Sequence, residues 1–300
     1  MKKYNLLKRR TIGDLLFDTG NYLFLILFCI TILFPLWDVI VLSFSSAADA
    51  NNLTIRLWPR EWRFDAYLFN LKNEKTMNAL FVSVFRTVTG TLVALFFTLI
   101  AAYPLSKRKL PFRNIVTVYF LIPMFFSGGL IPSYLINRSL CLVDNLLIYI
   151  IPGALGIYNV LLVRNYLMSI DPGLEESALI DGASYSTILY KIIIPVSKPI
   201  IATIALWNMV GHWNAWMDCL IYIRDEKKIV LQMLLRRMMD MSQETTIEQK
   251  HFMLLDPARV ITSKTVQASA TMITILPIIL TYPFLQKYFV KGIMLGSLKG

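Results

Sequence analysis

Asp171-Pro-Gly-Leu-Glu-Glu-Ser-Ala-Leu-Ile-Asp-Gly-Ala-Ser-Tyr-Ser-Thr-Ile-Leu-Tyr-Lys-Ile-Ile-Ile-Pro195 lies between two apolar runs of membrane-spanning length, at about 142–167 and 199–223. Asp171 followed by Pro172 opens a helix well, because proline's missing N–H falls where a first-turn donor has no intrahelical acceptor. Glu175 and Glu176 then suit the positive end of the helix dipole. Asp181-Gly182 is a turn that ends this helix, and a second short helix begins near Ser184 and stops at Pro195. The product is two short helices bent at Gly182. A bend immediately after a helix calls for a positive φ there, which a β-branched residue adopts only under strain. Ser177 and Ala178 are small enough for the first helix to sit close to another surface, while Leu174, Leu179 and Ile180 give it an apolar stripe. From the residues alone two readings stay open: a loop that re-enters and rests on the membrane, or a docking element for another protein.

What surrounds the segment is oily. The 300 residues are 56% hydrophobic and 16% charged, with a mean hydropathy of +0.57. Soluble domains lie near ~45–50% and ~25%, so this chain belongs in a bilayer. Spanning-length runs occupy about 22–44, 78–105, 114–136, 142–167, 199–223 and 265–289, which predicts an all-α polytopic membrane protein of six transmembrane helices in one domain over 1–300. The run at 22–44 exceeds a signal-peptide core and has no small-residue cleavage site near its end, so it reads as a retained first span. An even number of spans puts both termini on one side. Lys2, Lys3, Lys8, Arg9 and Arg10 precede the first span, and Lys107, Arg108, Lys109 and Arg113 crowd the short loop after the second. Short basic loops stay inside, so both termini are expected in the cytoplasm and 45–76 and 224–264 become outer loops. The quoted segment, 171–198 with its short flank, is then a cytoplasmic loop. Arg56, Arg60, Arg63, Lys72 and Lys75 lie on the opposite side, mixed with acids over a longer loop. The net charge of +11 fits anionic lipid and topology signalling, and no basic stripe interleaved with aromatics points to nucleic acid.

Charge inside the spans is rare. Asp38, Asp144 and Asp218 are placed near the outer edge, Arg164 near the inner edge, and Arg86 near the outer end of span two, where snorkelling to headgroups is the first reading and a place on a transport pathway the second. Spans three and four are interrupted by Pro123, Gly128, Gly129 and Pro132, then by Pro152, Gly153 and Gly156. Such breaks free backbone polar groups, which hydrocarbon tolerates only beside another helix or a wet cavity, so either a pathway or close helix packing explains them. Cys29, Cys141 and Cys219 are isolated and read as small buried hydrophobes, and neither His212 nor His251 has a second ligand at metal spacing. No Gly-rich loop ends in Gly-Lys-Ser or Gly-Lys-Thr, so the chain is not expected to hydrolyse ATP itself.

Glu176-Ser177-Ala178, Gly182 six residues after the glutamate, then Ile192 and Ile194-Pro195, resemble the "EAA" loop of ABC importer permeases, whose pattern is E-A-A, three residues, G, nine residues, I-x-L-P. Ser177 stands for the first alanine and Ile194 for leucine, both mild departures. Ala102-Tyr-Pro-Leu-Ser-Lys-Arg, Phe126-Ser-Gly-Gly-Leu-Ile-Pro-Ser-Tyr-Leu, Gly211-His-Trp-Asn-Ala-Trp, Leu276-Pro and Tyr282-Pro-Phe-Leu-Gln-Lys-Tyr-Phe-Val-Lys-Gly are similar to the carbohydrate class related to the maltose permease, and more narrowly to its branch for complex polysaccharide fragments.

That resemblance implies the ABC type I importer permease fold in a bacterial plasma (inner) membrane. It also implies a cytoplasmic coupling helix formed by Glu176, Ser177, Ala178, Leu179, Asp181 and Gly182, with Ile192 and Pro195 completing the loop. In such a helix Glu176 meets a basic residue on the ATPase and Ala178 sets the depth of seating. The implied partners are a cytoplasmic ATPase dimer that uses ATP and Mg, a second and non-identical permease, an extracellular solute-binding protein, membrane lipid and an oligosaccharide cargo. This chain itself would bind no cofactor. The amphipathic stretch from Leu231 to Met239 is either a helix resting on the bilayer or, by the same resemblance, a contact for the solute-binding protein through Arg236, Arg237 and Met238.

Rival readings are an importer for an amino acid or peptide, a membrane enzyme such as a lipid-dependent glycosyltransferase, and a structural scaffold. Against an enzyme, no acidic cluster, histidine pair or nucleophile–base arrangement stands at an interface.

Overall fold

The computed structural model describes residues 12–46, 49–50, 57–241 and 262–297. The basic residues of 2–10, Arg56, His251 and the 242–261 part of the second polar stretch lie outside these. All regular structure among the described residues is helical. The chain divides into two compact units, residues 1–69 with 244–272 and residues 70–243 with 273–300.

In the first unit α1 runs from Ile12 to Ser43, 32 residues of which only Val41 and Ser43 are buried. At ~1.5 Å per residue it is about 48 Å long, more than the ~30 Å of a bilayer's hydrocarbon. An aromatic knot follows its end: the Phe44 ring lies 5.3 Å from Trp62, 5.4 Å from Phe64 and 4.9 Å from Tyr67. Helix α2, Asp65–Lys72, leads out of this region.

The second unit is built on α3, Glu74–Ser106. Asn73 caps its start, the side chain accepting the Lys75 N–H at 2.9 Å. The Lys107 N–H closes its other end on the Pro104 carbonyl at 3.0 Å. Next come α4, Arg113–Phe125, and α5, Leu130–Ser139, bent by 113° at a break where Gly129 takes φ +83°. The run at 114–136 is therefore a bent pair rather than one straight helix.

The run at 142–167 is regular only in part. A 3₁₀ turn covers Leu146–Tyr149, and α6 occupies only Ile157–Leu167. Left-handed Cys141 and Asp144, each at φ 56°, begin the irregular stretch, which holds Pro152, Gly153 and Gly156. Its backbone is satisfied locally, with Ile148 N–H on the Asn145 carbonyl at 3.1 Å and Ile150 N–H on that of Leu147 at 3.0 Å.

Beyond α6 lie α7, Gly173–Ile180, and α8, Tyr185–Val196, then α9, Lys198–Asn214, set at 82° to α8. Helices α10, Met217–Tyr222, α11, Leu231–Met241, and α12, Ser263–Ser297, complete the order. Among the described residues three helices are long and apolar enough to cross a membrane, Ile12–Ser43, Glu74–Ser106 and Ser263–Thr281, and the pairs α4–α5 and α8–α9 pass the same test jointly.

Helix α3 packs most extensively against α9 and α6. Gly90 explains the closeness to α9: a Cβ there would lie 2.6 Å from the His212 ring. Apolar burial gathers at both ends of α3. One cluster unites Val82 with Tyr149, Cys219, Tyr222, Val230 and Met233, and the other unites Ala102, Tyr103 and Leu105 with Val163, Leu167, Ala178 and Ile188.

Candidate functional site

The loop from Asp171 to Pro195 is held by its own capping chemistry. Asp171 Oδ1 accepts the Gly173 N–H at 2.9 Å, giving the first turn of α7 a side-chain acceptor. At the other end the Ala183 N–H reaches the Ala178 carbonyl at 2.9 Å and the Gly182 N–H reaches Leu179 at 3.1 Å. These are the two bonds of a Schellman motif, which needs a left-handed residue after the helix. Gly182 supplies it at φ +78°, the positive φ expected of the bend. A Cβ at Gly182 would meet nothing within 4 Å, so any penalty for substitution there comes from the backbone conformation alone.

Ser184 starts α8 as anticipated, its Oγ accepting the Thr187 N–H at 3.3 Å. The helix does not stop at Pro195, however. It widens to a π turn over Leu189–Ile193, with the Ile194 N–H on the Leu189 carbonyl, and continues to Val196 before breaking at Ser197. A proline inside an α-helix lacks a donor and crowds the carbonyl four residues back, here that of Lys191. The π turn changes the register just before that contact, and the bend falls two residues later than proline's position suggests.

The faces of α7 correct one sequence-based expectation. Ala178 is buried against the chain's own cluster with Leu167, Ile188 and Leu189. It does not lie on the exposed face. Glu176, Ser177, Leu179 and Asp181 are exposed, as are Leu174 and, at 86%, Ile180. Ile192 is half-buried and Pro195 exposed. The outward face thus carries Leu179 and Ile180 with the carboxylates of Glu176 and Asp181 beside them, and Ala178 fixes how closely α7 sits on α8.

Lys107 and Arg164, which the sequence does not tie to the loop, also act at this end. Glu175 forms an ion pair with Lys107, whose Nζ also lies 4.0 Å from the centre of the Tyr103 ring. Arg164 Nε donates to the Leu105 carbonyl at 3.1 Å, satisfying an acceptor left over as α3 ends.

At the other end of α3 a second correction arises. Arg86 does not snorkel: it is 3% exposed, with its guanidinium on both carboxylate oxygens of Asp218, on the Ala215 carbonyl at 3.0 Å, and 4.6 Å from the Tyr149 ring centre. Burying a guanidinium is tolerable only with such a set of partners. The clue was present in the sequence, for Arg86 and Asp218 were placed at similar depth with opposite charge.

Helix α11 is fixed beside this group. Its Leu231 N–H donates to Ser83 Oγ at 2.8 Å, and Leu231, Met233 and Leu235 are buried. The amphipathic face therefore packs on protein. Arg236 stands 3.8 Å over the Trp216 ring and is exposed, and Arg237 and Met238 are half-exposed. The lead-in is tethered as well, with Tyr149 OH donating to the Lys228 carbonyl at 2.8 Å and Lys75 Nζ 2.6 Å from Glu226.

Residues 90–295 match the family described as binding-protein-dependent transport system inner membrane component. Protein LplC of Bacillus subtilis is 39% identical over 285 residues, covering 95% of either chain. The polygalacturonan/rhamnogalacturonan transport system permease protein YtcP of the same organism is 35% identical, covering 95% of this chain and 99% of its own. Among solved structures, a chain of a bacterial ABC transporter involved in the import of the acidic polysaccharide alginate superposes with a TM-score of 0.86 at 32% identity, covering 93% of this chain and 98% of its own.

Proposed function

The chain belongs to the binding-protein-dependent transport system inner membrane components, and from that premise we propose that it carries an oligosaccharide inward under the power of a separate ATPase docked on α7. It is the permease subunit of an ABC importer, with the type I fold, and the catalytic site for ATP belongs to another subunit. The proposed complex adds an ATPase dimer using ATP and Mg, a second permease and a solute-binding protein. Both termini are cytoplasmic in this reading and six spans cross the membrane. Topology rests on the basic residues of 2–10 and of 107–113, while the span count rests on the apolar runs.

One observation carries the docking assignment: α7 is a short helix stapled by a Schellman motif, inward through Ala178 and outward through Glu176, Leu179 and Ile180. A buried aliphatic side chain contributes about 1.5–3 kcal/mol, so this face is worth covering, and Glu176 offers a charge-assisted hydrogen bond to a basic residue on the ATPase. Arg236, Arg237 and Met238, on the opposite side of the membrane in this reading, are the proposed contact for the solute-binding protein. The oligosaccharide cargo is supported by YtcP and by the alginate importer, which resemble this chain over nearly its whole length. The test is reconstitution of the complete importer with its solute-binding protein and measurement of ATPase stimulation across a panel of glycans, amino acids and peptides. Stimulation by an oligosaccharide is expected. Stimulation by an amino acid or peptide instead would replace the cargo while keeping the permease.

A further inference from the structure

We propose that Lys107 is a positioning residue for coupling: its ion pair with Glu175 ties the docking helix to the end of α3, so that displacement of the loop is passed to the long central helix. The inference rests on the reading of α7 as the ATPase-docking helix.

Helix α7 has few anchors of its own. Ala178 is its one buried residue, and the helix is otherwise joined to the rest through the turn at 168–172 and the bend at Gly182. Packing through a single alanine resists separation but does little to set direction along the helix. Glu175 lies on the inward edge, one turn before Ala178, and its carboxylate meets the Lys107 ammonium. Lys107 is the C-cap of α3, and its Nζ rests 4.0 Å from the Tyr103 ring centre, so the cation is held between a ring of α3 and an acid of α7. Side-chain exposures of 26% for Lys107 and 18% for Glu175 leave the pair partly shielded from solvent. Tyr103 belongs to the same apolar cluster as Ala178, which makes the contact continuous from loop to helix.

Helix dipoles sharpen the assignment. Lys107 stands at the negative end of α3 and Glu175 in the first turn of α7, at its positive end. Each charge suits its own helix before it meets the other, so exchanging them would oppose both dipoles. Neutral variants of similar shape isolate the bond better than a charge swap.

The experiment uses the complete reconstituted importer with Lys107→Met, Glu175→Gln, the double variant and Lys107→Arg. It reads two quantities: the ratio of ATPase activity with and without loaded solute-binding protein, and co-purification of the ATPase from detergent. Each single variant is expected to lower the ratio about fivefold, the low end of an ordinary coupling energy, with the ATPase still bound. The double variant should be no worse than either single, and Lys107→Arg should retain most of the ratio. Wild-type ratios in both single variants would overturn the proposal, as would additive losses in the double. Loss of the ATPase from the single variants would also overturn it, because the pair would then be a structural support. Gly182→Val serves as the control for the underlying reading. If Gly182→Val also couples normally, the docking assignment falls and the proposal with it. If Gly182→Val uncouples while Lys107→Met does not, only the ion-pair proposal falls.

Discussion

Helix α3 is held by one ion pair at its C-terminal end and by another about three turns in from its N-terminus, and the two pairs are built differently. Arg86 and Asp218 join α3 to the first turn of α10, and Lys107 and Glu175 join it to α7. Arg86 is met through its two terminal nitrogens by a carboxylate and a carbonyl, and by a ring, inside a cluster closed by Tyr149 and Cys219. Lys107 has one carboxylate and one ring, and its partner sits on a helix whose other face is bare. The first arrangement is rigid because loosening any member strands a buried charge. Under the proposed docking the second is the movable one, because water and a docked protein can take over the solvation of either ion. A membrane component that must change shape needs both, a fixed end against which the other is displaced.

The largest effect is expected from breaking the rigid end. Asp218→Ala leaves the Arg86 guanidinium without its carboxylate at 3% exposure, and loss of one partner of a buried pair costs about 3–5 kcal/mol. The variant should show a strongly lowered melting temperature and aggregation on size exclusion in detergent. Replacing both partners by apolar residues, Arg86→Met with Asp218→Leu, should recover much of that loss. A stable Asp218→Ala protein would mean that the pair is not what holds this end.

Next come the shape variants of the movable end. Gly182→Val forces a β-branched residue to φ +78°, a strain of order 1–3 kcal/mol with no steric contact to add to it. Ala178→Trp drives an indole into the contact with Ile188 and Leu189. Both should fold and insert, yet lose substrate-stimulated ATPase activity and co-purification of the ATPase. For Ala178→Trp the cause is the displaced α7 and not a clash with the ATPase. Glu176→Ala should do less, reducing the stimulation while keeping the ATPase bound, because its side chain is exposed and its removal leaves the Schellman bonds intact.

How much of this could be read from sequence depends on the range of the interaction. The caps, the bend at Gly182 and the start at Ser184 are local, and their residue types announce them. The apolar runs predicted helices, but at 142–167 the chain carries Pro152, Gly153 and Gly156, and the buried irregular turn around Tyr149 wins because its backbone is satisfied without a helix. The inward direction of Ala178 escaped because a small residue in a docking motif suits either face, and only packing on α8 decides. The Lys107–Glu175 pair escaped because its members are 68 residues apart and each has a sufficient local explanation. Arg86 and Asp218 were legible as a pair in principle, through matched depth and opposite sign, although snorkelling accounted for Arg86 alone.

A third ion pair sharpens the comparison from below. Lys75 and Glu226 lie at the same end of α3 as Arg86, 2.6 Å apart, with side-chain exposures of 68% and 60%. The hydrogen bond from Lys75, followed by its charge, holds the Glu226 carboxyl below its usual value. A depressed carboxyl contributes stability that is present above its unfolded-state pKa, near 4.5, and lost as pH falls through the lower folded value. High exposure and salt screening make that contribution small. If desolvation decides what a pair is worth, Glu226→Gln should melt within error of wild type at neutral pH in ordinary salt. Any deficit should shrink further at high salt or as pH is lowered below 4.5. A melting shift for Glu226→Gln as large as that for Asp218→Ala would show that proximity alone, and not burial, sets the strength of these contacts.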